Sequence, residues 1–205
     1  MTLYRHSASG HWPIKFRQAT LAAGIIFSAI VLKAIVLSAI LILMPLSQAQ
    51  AHAPELHQFN LVKFKRSFPA PSFTLPDPNG ELKTLESFAG NHVLLNFWAT
   101  WCVPCLTEMP SMEKLHQKFK DRKFHIVAIS SDKEGAAQVK PYLKKLGVTF
   151  TILLDTDGRV SENYGARNLP STFLLNPKGR VVAAAMGERD WFKEGAVTYF
   201  DEMLK

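Results

Sequence analysis

Residues 96–105 read NFWATWCVPC, and they mark the junction around which the rest of the chain is organised. It ends a run, His92–Trp98, that is apolar after its first residue except at Asn96, which predicts a strand covered on both faces. Beyond it, Leu, Met and Phe side chains recur at helical spacing, which predicts a helix over Cys102–Lys120. Both cysteines of the 205-residue chain, Cys102 and Cys105, therefore lie where a buried strand turns into a helix.

Strand and helix patterns alternate on either side of this stretch. A hairpin is predicted for Pro71–Leu75 and Glu81–Leu85, because the Pro-Asp-Pro-Asn-Gly sequence between them favours a tight turn. Further strands are predicted at Phe124–Ser130, Phe150–Asp155, Thr172–Asn176 and Arg180–Ala185, and helices at Lys133–Leu146, Gly158–Tyr164 and Arg189–Lys205. This order predicts an α/β domain with a mixed central sheet flanked by helices and an N-terminal β-hairpin extension.

The Cys102-Val103-Pro104-Cys105 sequence is suited to reversible redox chemistry. A disulfide between such close positions closes a very small ring and removes little entropy from the unfolded chain. Cys102 is expected at the helix N-terminus, where free N–H groups and the helix dipole favour the attacking thiolate. Cys105 lies one turn further in and is suited to resolving a mixed disulfide. We therefore expect a redox-active pair; the alternatives are unpaired buried thiols or half of a metal site.

The chain resembles the TlpA/ResA-like thiol-disulfide oxidoreductases of the thioredoxin superfamily. The resemblance extends from about Pro71 to the C-terminus and rests on residues 96–105, on Glu108 and Pro110, and on Leu169-Pro170-Ser171-Thr172-Phe173. It implies a thioredoxin-like fold and dithiol–disulfide exchange with protein thiols, often in cytochrome c maturation. It implies no cofactor other than the Cys102–Cys105 disulfide itself.

The resemblance also implies a second part of the site at Pro170. The matching proline of thioredoxin-like proteins is cis and lies against the two cysteines, which leaves the backbone of Leu169 free to pair with an extended substrate segment. On its own, Pro170 would be interpreted as an ordinary trans proline that opens a strand. Trp101 is expected to cover the disulfide or to contact a partner, whereas Trp98 is expected in the core.

Glu108 is a candidate for proton transfer. It follows Cys105 by three residues and is therefore expected on the same face of the helix. A carboxylate there can accept or deliver protons during exchange, a role that the resemblance supports. The other interpretation is an acid near the helix start that only complements the helix dipole. Asn96 stands where thioredoxin itself has a buried Asp, which leaves Glu108 as the better candidate.

Residues 1–53 are predicted to be a signal or anchor segment. Residues 19–46 are apolar with Lys33 as their only charge, and three bases precede them, namely Arg5, Lys15 and Arg17. In one interpretation, Ala34–Leu46 is the apolar part of a signal peptide that is cleaved among the small residues near Ala51. In the other, a window such as 24–43 stays in the membrane as an anchor. Both place the rest of the chain in the cell envelope, on the periplasmic side, with 54–70 as a linker and 71–205 as the folded domain.

The charge pattern narrows the classes of partner. The formal charge is +7, but residues 1–53 hold four bases and no acid, so residues 54–205 carry only +3. No Lys/Arg stripe appears there, so nucleic acid is not an expected partner. The seven histidines have no ligand spacing to the cysteines, so no metal is expected. The expected partners are protein thiols or disulfides, a membrane electron donor, and the membrane itself through the N-terminal segment.

The sequence favours a disulfide reductase, because Val103-Pro104 places no cationic histidine between the cysteines to stabilise the reduced form. Two other functions stay open. A peroxiredoxin-like peroxidase shares the hairpin and strand layout, although its Pro-x-x-x-Thr/Ser-x-x-Cys pattern is absent; such a protein would consume peroxide. A copper- or zinc-handling module would use the two thiolates and would retain metal through purification.

Overall fold

The computed structural model describes residues 61–205. The predicted signal or anchor segment, 1–53, and the first part of the predicted linker, 54–60, lie outside the described residues. The described chain forms a six-stranded mixed sheet in the order β1-β8-β7-β4-β5-β6. Its strands are β1 (Val62–Pro69), β4 (His92–Trp98), β5 (Phe124–Ser130), β6 (Thr151–Leu154), β7 (Ser171–Leu175) and β8 (Arg180–Met186). Strands β4, β5 and β6 are parallel, whereas β7 runs antiparallel to β4 and β8.

Strand β4 is central to the sheet because its side chains are apolar on both faces. Leu94 and Trp98 belong to the core on one face, and Val93, Leu95 and Phe97 belong to the core on the other. All five are at most 3% exposed. Since side chains alternate along a strand, Asn96 lies on the same face as Leu94 and Trp98. The one polar residue of the strand therefore points into an otherwise apolar core.

Within residues 61–205, four helices and a small hairpin cover the two faces of the sheet. The helices are α1 (Val103–Phe119), α2 (Ala136–Leu146), α3 (Arg159–Asn163) and α4 (Glu194–Met203), and a 3-10 turn spans Leu85–Phe88. Buried residues of α1 and α4, such as Met109 and Phe200, pack with Trp98, while Val160 of α3 packs with Phe97. The hairpin pairs β2 (Thr74–Pro76) with β3 (Leu82–Thr84). The sequence-predicted α/β architecture, mixed sheet and N-terminal hairpin are confirmed.

The last helix begins later than the sequence predicted. The pattern favoured Arg189–Lys205, whereas α4 spans Glu194–Met203. Over Arg189–Lys193, polar groups of other residues take the backbone N–H groups: Ser111 Oγ accepts from Trp191 at 2.9 Å, and Asp190 Oδ1 accepts from Phe192 at 2.9 Å. Trp191 is fully buried. This loop carries the tryptophan into the core beside α1 instead of extending the helix.

The prediction of a linker over 54–70 is wrong for residues 62–69. Val62–Pro69 forms β1, an edge strand that pairs antiparallel with β8. The strand has no buried face, since every residue in it is exposed or half-buried. Its apolar and basic residues alternate only over 62–65, and Arg66 and Ser67 interrupt the alternation that marks a strand in sequence. The folded domain begins by Leu61, which is itself buried, about ten residues before the predicted boundary.

None of the helices within residues 61–205 is both long enough and apolar enough to cross a membrane.

Candidate active site

The two cysteines form a disulfide at the N-terminus of α1. Their Cα atoms are 5.3 Å apart. Cys102 is the N-cap residue, and its Sγ accepts a hydrogen bond from the backbone N–H of Cys105 at 3.3 Å. Cys102 is 6% exposed, whereas Cys105 is fully buried. Pro104 lies in the first turn, where a missing N–H costs no helical bond, and no acid lies in that turn to oppose a thiolate.

A buried carboxylate holds the loop that joins β4 to the cysteines. Asp132, which follows β5, accepts hydrogen bonds from the backbone N–H of Thr100 at 2.9 Å and from its hydroxyl at 2.7 Å. The Ser130 hydroxyl donates to the same carboxylate at 2.7 Å, and the Gln138 side chain donates to the Thr100 hydroxyl at 2.7 Å. Asp132 is 1% exposed. These bonds fix the backbone two residues before Cys102.

The proline at the start of β7 is cis, as predicted. The Leu169–Pro170 peptide bond is cis, and Pro170 is buried while Leu169 is half-buried. In register, Ser171 pairs with Phe97 of β4, so Pro170 lies at the end of the sheet where β4 leads to the cysteines. Within residues 61–205, the backbone N–H and C=O of Leu169 have no hydrogen-bond partner. They are thus available to an incoming chain.

The two tryptophans of the NFWATWC stretch have different environments, as predicted. Trp98 is fully buried, while Trp101, directly before Cys102, is 66% exposed. Val103, directly after it, is 71% exposed. Met186 pairs with Ser171 in the sheet and is also exposed. Exposed apolar side chains therefore lie on both sides of Cys102 in sequence and beside the cis-proline.

Glu108 is almost completely buried, at 2% exposed. Its Oε1 accepts a hydrogen bond from Asn96 Nδ2 at 2.8 Å. Its Oε2 accepts from Trp191 Nε1 at 3.1 Å and from the backbone N–H of Arg189 at 3.3 Å. The Asn96 amide also donates to the Thr172 hydroxyl at 3.0 Å. An open cleft of about 390 Å³ lies against this group, lined in part by Glu108, Ser111, Lys114 and Arg189.

Burial raises the pKa of Glu108 to about 7. Desolvation is the largest cause, and it outweighs the hydrogen bonds from Trp191, Asn96 and Arg189 and the positive charge of Arg189, all of which favour the carboxylate. A carboxyl group with a pKa near neutrality can both donate and accept a proton at physiological pH. Because Glu108 is buried in α1 three residues after Cys105, its environment differs from that of a surface acid that only complements the helix dipole.

Several residues of this arrangement were not singled out from the sequence. Trp191 and Arg189 reach Glu108 across 83 and 81 residues, and Asp132 reaches Thr100 across 32. Thr172 was noted only as part of the Leu-Pro-Ser-Thr-Phe match. The sequence did give a signal for Asn96: an amide in an apolar strand predicts a buried hydrogen-bond partner.

No group of three or more His, Cys, Asp or Glu side chains within residues 61–205 is arranged to hold a metal ion.

Solved structures with this fold and a similar sequence include proteins named as thiol-disulfide oxidoreductases and thiol:disulfide interchange proteins. A thiol:disulfide interchange protein of DsbE type from Chlorobium tepidum has a TM-score of 0.63 and 30% identity, covering 69% of this chain and 99% of its own. StoA from Bacillus subtilis has a TM-score of 0.54 and 25% identity, covering 63% of this chain and 97% of its own. The class defined by the fold is thus the thioredoxin-like oxidoreductases.

Sequence comparison narrows the class to a family. The AhpC/TSA family model matches residues 68–184. The thiol-disulfide oxidoreductase ResA of Bacillus subtilis is 42% identical over 118 residues, which are 58% of this chain and 65% of that protein. ResA of Halalkalibacterium halodurans is 37% identical over 136 residues, or 66% of this chain and 75% of that protein. The chain belongs to the AhpC/TSA family and, within it, is a relative of the ResA thiol-disulfide oxidoreductases.

Proposed function

We propose that this protein is a cell-envelope disulfide reductase that transfers electrons from the Cys102–Cys105 pair to disulfides in protein clients. The observation that carries the proposal is the disulfide at the N-terminus of α1, in which Cys102 is 6% exposed and Cys105 is fully buried. Kinship with the ResA thiol-disulfide oxidoreductases supports the same chemistry. The peroxidase and metal-handling alternatives have no such support from the named relatives.

Cys102 is the attacking residue in this proposal. Its thiolate attacks a client disulfide, forms a mixed disulfide and releases one client sulfur, which takes up a proton. The Cys105 thiolate then attacks Cys102 Sγ, which forms the Cys102–Cys105 disulfide and releases the second client sulfur. Two electrons pass from the pair to the client. The N–H of Cys105, which donates to Cys102 Sγ, and the free N–H groups of the helix start stabilise the thiolate.

Glu108 accepts the proton of the Cys105 thiol and later returns it. The Cys105 thiol is buried and must lose its proton before it can attack, so it needs a base in a place that bulk water does not reach. Glu108 lies one turn away on the same helix, with a pKa of about 7 that lets it accept this proton and later return it. Asn96 assists, because its buried Oδ1 has no hydrogen-bond partner among residues 61–205 and an amide flip would present it to a protonated Glu108.

Leu169 and Trp101 bind the client. The unpaired backbone groups of Leu169 form main-chain hydrogen bonds with an extended client segment, as an added strand does at a sheet edge. Pro170 holds that backbone in place, and the exposed Trp101 ring contacts apolar residues next to the client cysteine. Main-chain pairing is independent of side-chain identity, so the site accepts more than one client sequence.

The N-terminal segment supports a location of this chemistry outside the cytoplasm. Residues 19–46 contain one charge, and a span such as 24–43 anchors the chain in the inner membrane. Because the envelope is oxidising, a reductase there needs a membrane dithiol donor to regenerate its thiols. Cytochrome c maturation is the process we assign it to, since haem attachment requires reduced client cysteines.

Insulin reduction and client trapping test the proposal. The protein should accelerate the dithiothreitol-driven reduction of insulin, and Cys102→Ser should abolish the acceleration. Cys105→Ser should leave Cys102 in stable mixed disulfides with clients in envelope extracts, whereas Cys102→Ser, the matched control, should trap none. Trapping by Cys102→Ser alone would reverse the roles of the two sulfurs. An absence of acceleration by the wild-type protein would leave only a structural disulfide.

A further inference from the structure

Strand β1 carries an exposed apolar and basic patch that the proposed redox chemistry does not use. Val62 is 63% exposed, Phe64 38% and Phe68 43%. The Phe64 and Phe68 rings contact each other, with their centroids 5.4 Å apart. Lys63, Lys65 and Arg66 are exposed in the same eight residues, and neither β1 nor its partner β8 contains an acid. We call Val62, Phe64, Lys65, Arg66 and Phe68 the β1 patch.

The backbone pushes the middle of this patch outward. Lys63 pairs with Ala183 and Phe68 pairs with Val181, so four residues of β1 lie opposite the single residue Val182. The segment between the two pairs therefore bulges out of the ladder. Phe64, Lys65 and Arg66 all lie in this bulge. Within residues 61–205, Lys65 and Arg66 form no ion pair.

Protection of a sheet edge explains only part of this arrangement. Bulges, lysines and prolines at an edge strand prevent pairing with other chains, and the bulge, Lys65 and Pro69 fit that purpose. Exposed aromatic side chains do not, because they invite association. The phenylalanine pair beside unpaired cations therefore requires a partner that is both apolar and anionic.

We propose that the β1 patch rests on the surface of an anionic lipid bilayer. Aromatic rings partition to the headgroup region, and each nearby Lys or Arg adds attraction to anionic headgroups. Fifteen residues separate Leu46, where the apolar run ends, from Val62, where the patch starts, so the connecting segment can span at most about 50 Å. The inference rests on the proposed membrane anchor, and it adds a second contact that would orient the domain against the membrane.

A second copy of the chain fits the patch less well. Antiparallel pairing of two β1 strands would bring Lys65 and Arg66 of one copy against the bases of the other, and like charges opposite each other destabilise such pairing. The bulge also removes the regular edge that strand pairing requires. An anionic surface meets neither obstacle.

Quenching by lipid tests the contact in the full-length chain. Phe64→Trp adds a fluorophore to the patch, and Tyr142→Trp is the matched control, because Tyr142 is 37% exposed on α2 beside the exposed bases Lys144 and Lys145. Each variant is mixed with vesicles of phosphatidylcholine, with or without phosphatidylglycerol, that carry brominated acyl chains. Emission is read after subtraction of the signal of the unsubstituted protein.

The proposal predicts that F64W loses most of its added emission in the phosphatidylglycerol vesicles while Y142W loses little. Charge reversal by K65E/R66E in the F64W background should remove the quenching and leave insulin reduction unchanged. Equal quenching of F64W and Y142W, or quenching that survives K65E/R66E, would overturn the lipid contact. A blue shift of F64W emission that grows with protein concentration and needs no lipid would assign the patch to a second copy instead.

Flotation of the same samples separates the patch from the anchor. Flotation with both kinds of vesicle, without quenching of F64W, would keep the anchor and refute the patch. Flotation with phosphatidylglycerol vesicles alone, lost in K65E/R66E, would support the patch and refute the anchor. Flotation with neither kind of vesicle would refute both the anchor and the lipid contact of the patch. Failure of the wild-type protein to accelerate insulin reduction would refute the redox function. It would not alter the quenching and flotation results.

Discussion

Two buried carboxylates lie near the cysteine pair, and their surroundings differ. Asp132 accepts two hydroxyl bonds and one N–H bond from Ser130 and from Thr100, two residues before Cys102. Glu108, three residues after Cys105, accepts only N–H groups, from Asn96, Trp191 and the Arg189 backbone. Both side chains are at most 2% exposed.

This difference supports the proposal that Asp132 positions the loop and that Glu108 transfers protons. Asp132 is tied by short bonds to neighbouring backbone and hydroxyls, which suits a carboxylate that fixes a loop. Glu108 has longer bonds to Trp191 and Arg189, an adjacent amide oxygen without a partner, and a pKa raised by desolvation to about 7. Replacing each acid by its amide should therefore have different, and partly opposite, consequences.

The largest effect is expected on the rate of exchange. Glu108→Gln removes the base that we propose for the buried Cys105 thiol, and the rate of insulin reduction at pH 7 should therefore fall on the order of 100-fold. Asp132→Asn leaves that base in place, so its rate should fall by less than about tenfold. Initial rates of both variants against wild type measure this. Equal losses in the two variants would remove the distinction between the carboxylates.

The second effect is on stability, and its sign follows from the raised pKa of Glu108. Between pH 4.5, the ordinary value, and about 7, the unfolded chain is ionised at this group while the folded chain keeps the proton. Raising the pH through that window therefore destabilises the wild type. Glu108→Gln lacks this penalty, so it should be more stable than wild type by about 3 kcal/mol at pH 8, with the gain vanishing below pH 4.5.

Urea unfolding of the oxidised proteins at pH 4 and pH 8 measures this difference. The amide of a glutamine at 108 can be accommodated, because Asn96 can flip its unpartnered Oδ1 toward it. A variant that is less stable than wild type at pH 8 would show that Glu108 is ionised at little cost in the folded protein.

The third effect is a loss of stability at Asp132, opposite in sign to the gain expected at Glu108. Asp132→Asn replaces one of the two acceptor oxygens with an NH2 group, while the Thr100 and Ser130 donors stay buried. The free energy of unfolding at pH 8 should fall by about 2 kcal/mol. Thr100→Ser, which keeps the hydroxyl, is the matched control and should lose less. Stabilisation by Asp132→Asn would contradict the positioning role.

Elements with strong local patterns could be predicted from the sequence, and contacts between distant segments could not. The apolar run of β4 and the helical spacing of α1 identified the strand–cysteine–helix junction, and the family match identified the cis proline. The sequence pattern did not predict strand β1, because neither face of this strand is buried. The start of α4 was misplaced because Trp191 leaves the helical path to reach Glu108, 83 residues away.

The sequence separation of these contacts also explains why the raised pKa of Glu108 could not be predicted from the sequence. Its position relative to Cys105 was visible from the spacing, but its burial depends on residues from three separate segments. Asn96 was visible as the one amide in an apolar strand, but its hydrogen bond to Glu108 depends on the packing of α1 against β4. Spacing thus identified the residue, and tertiary packing determines its chemistry.

The smallest effect is expected at the indole that faces Glu108. Trp191→Phe removes the donor that lies 3.1 Å from Oε2 and favours the carboxylate, so the pKa of Glu108 should rise further. The midpoint of the pH–rate profile should move up by about one pH unit, with the maximal rate little changed. Trp101→Phe, at the exposed tryptophan, is the control and should leave the midpoint unchanged.

A carbon-13 NMR titration of the Glu108 side-chain carboxyl group tests the central claim most directly. Glutamate-labelled oxidised protein gives the signal, and its absence in Glu108→Gln assigns it. The account predicts a single midpoint of about 7 in the wild type. A midpoint near 4.5, the ordinary value for glutamate, would mean that the carboxylate is already ionised when exchange begins and would contradict its role as the proton carrier for Cys105.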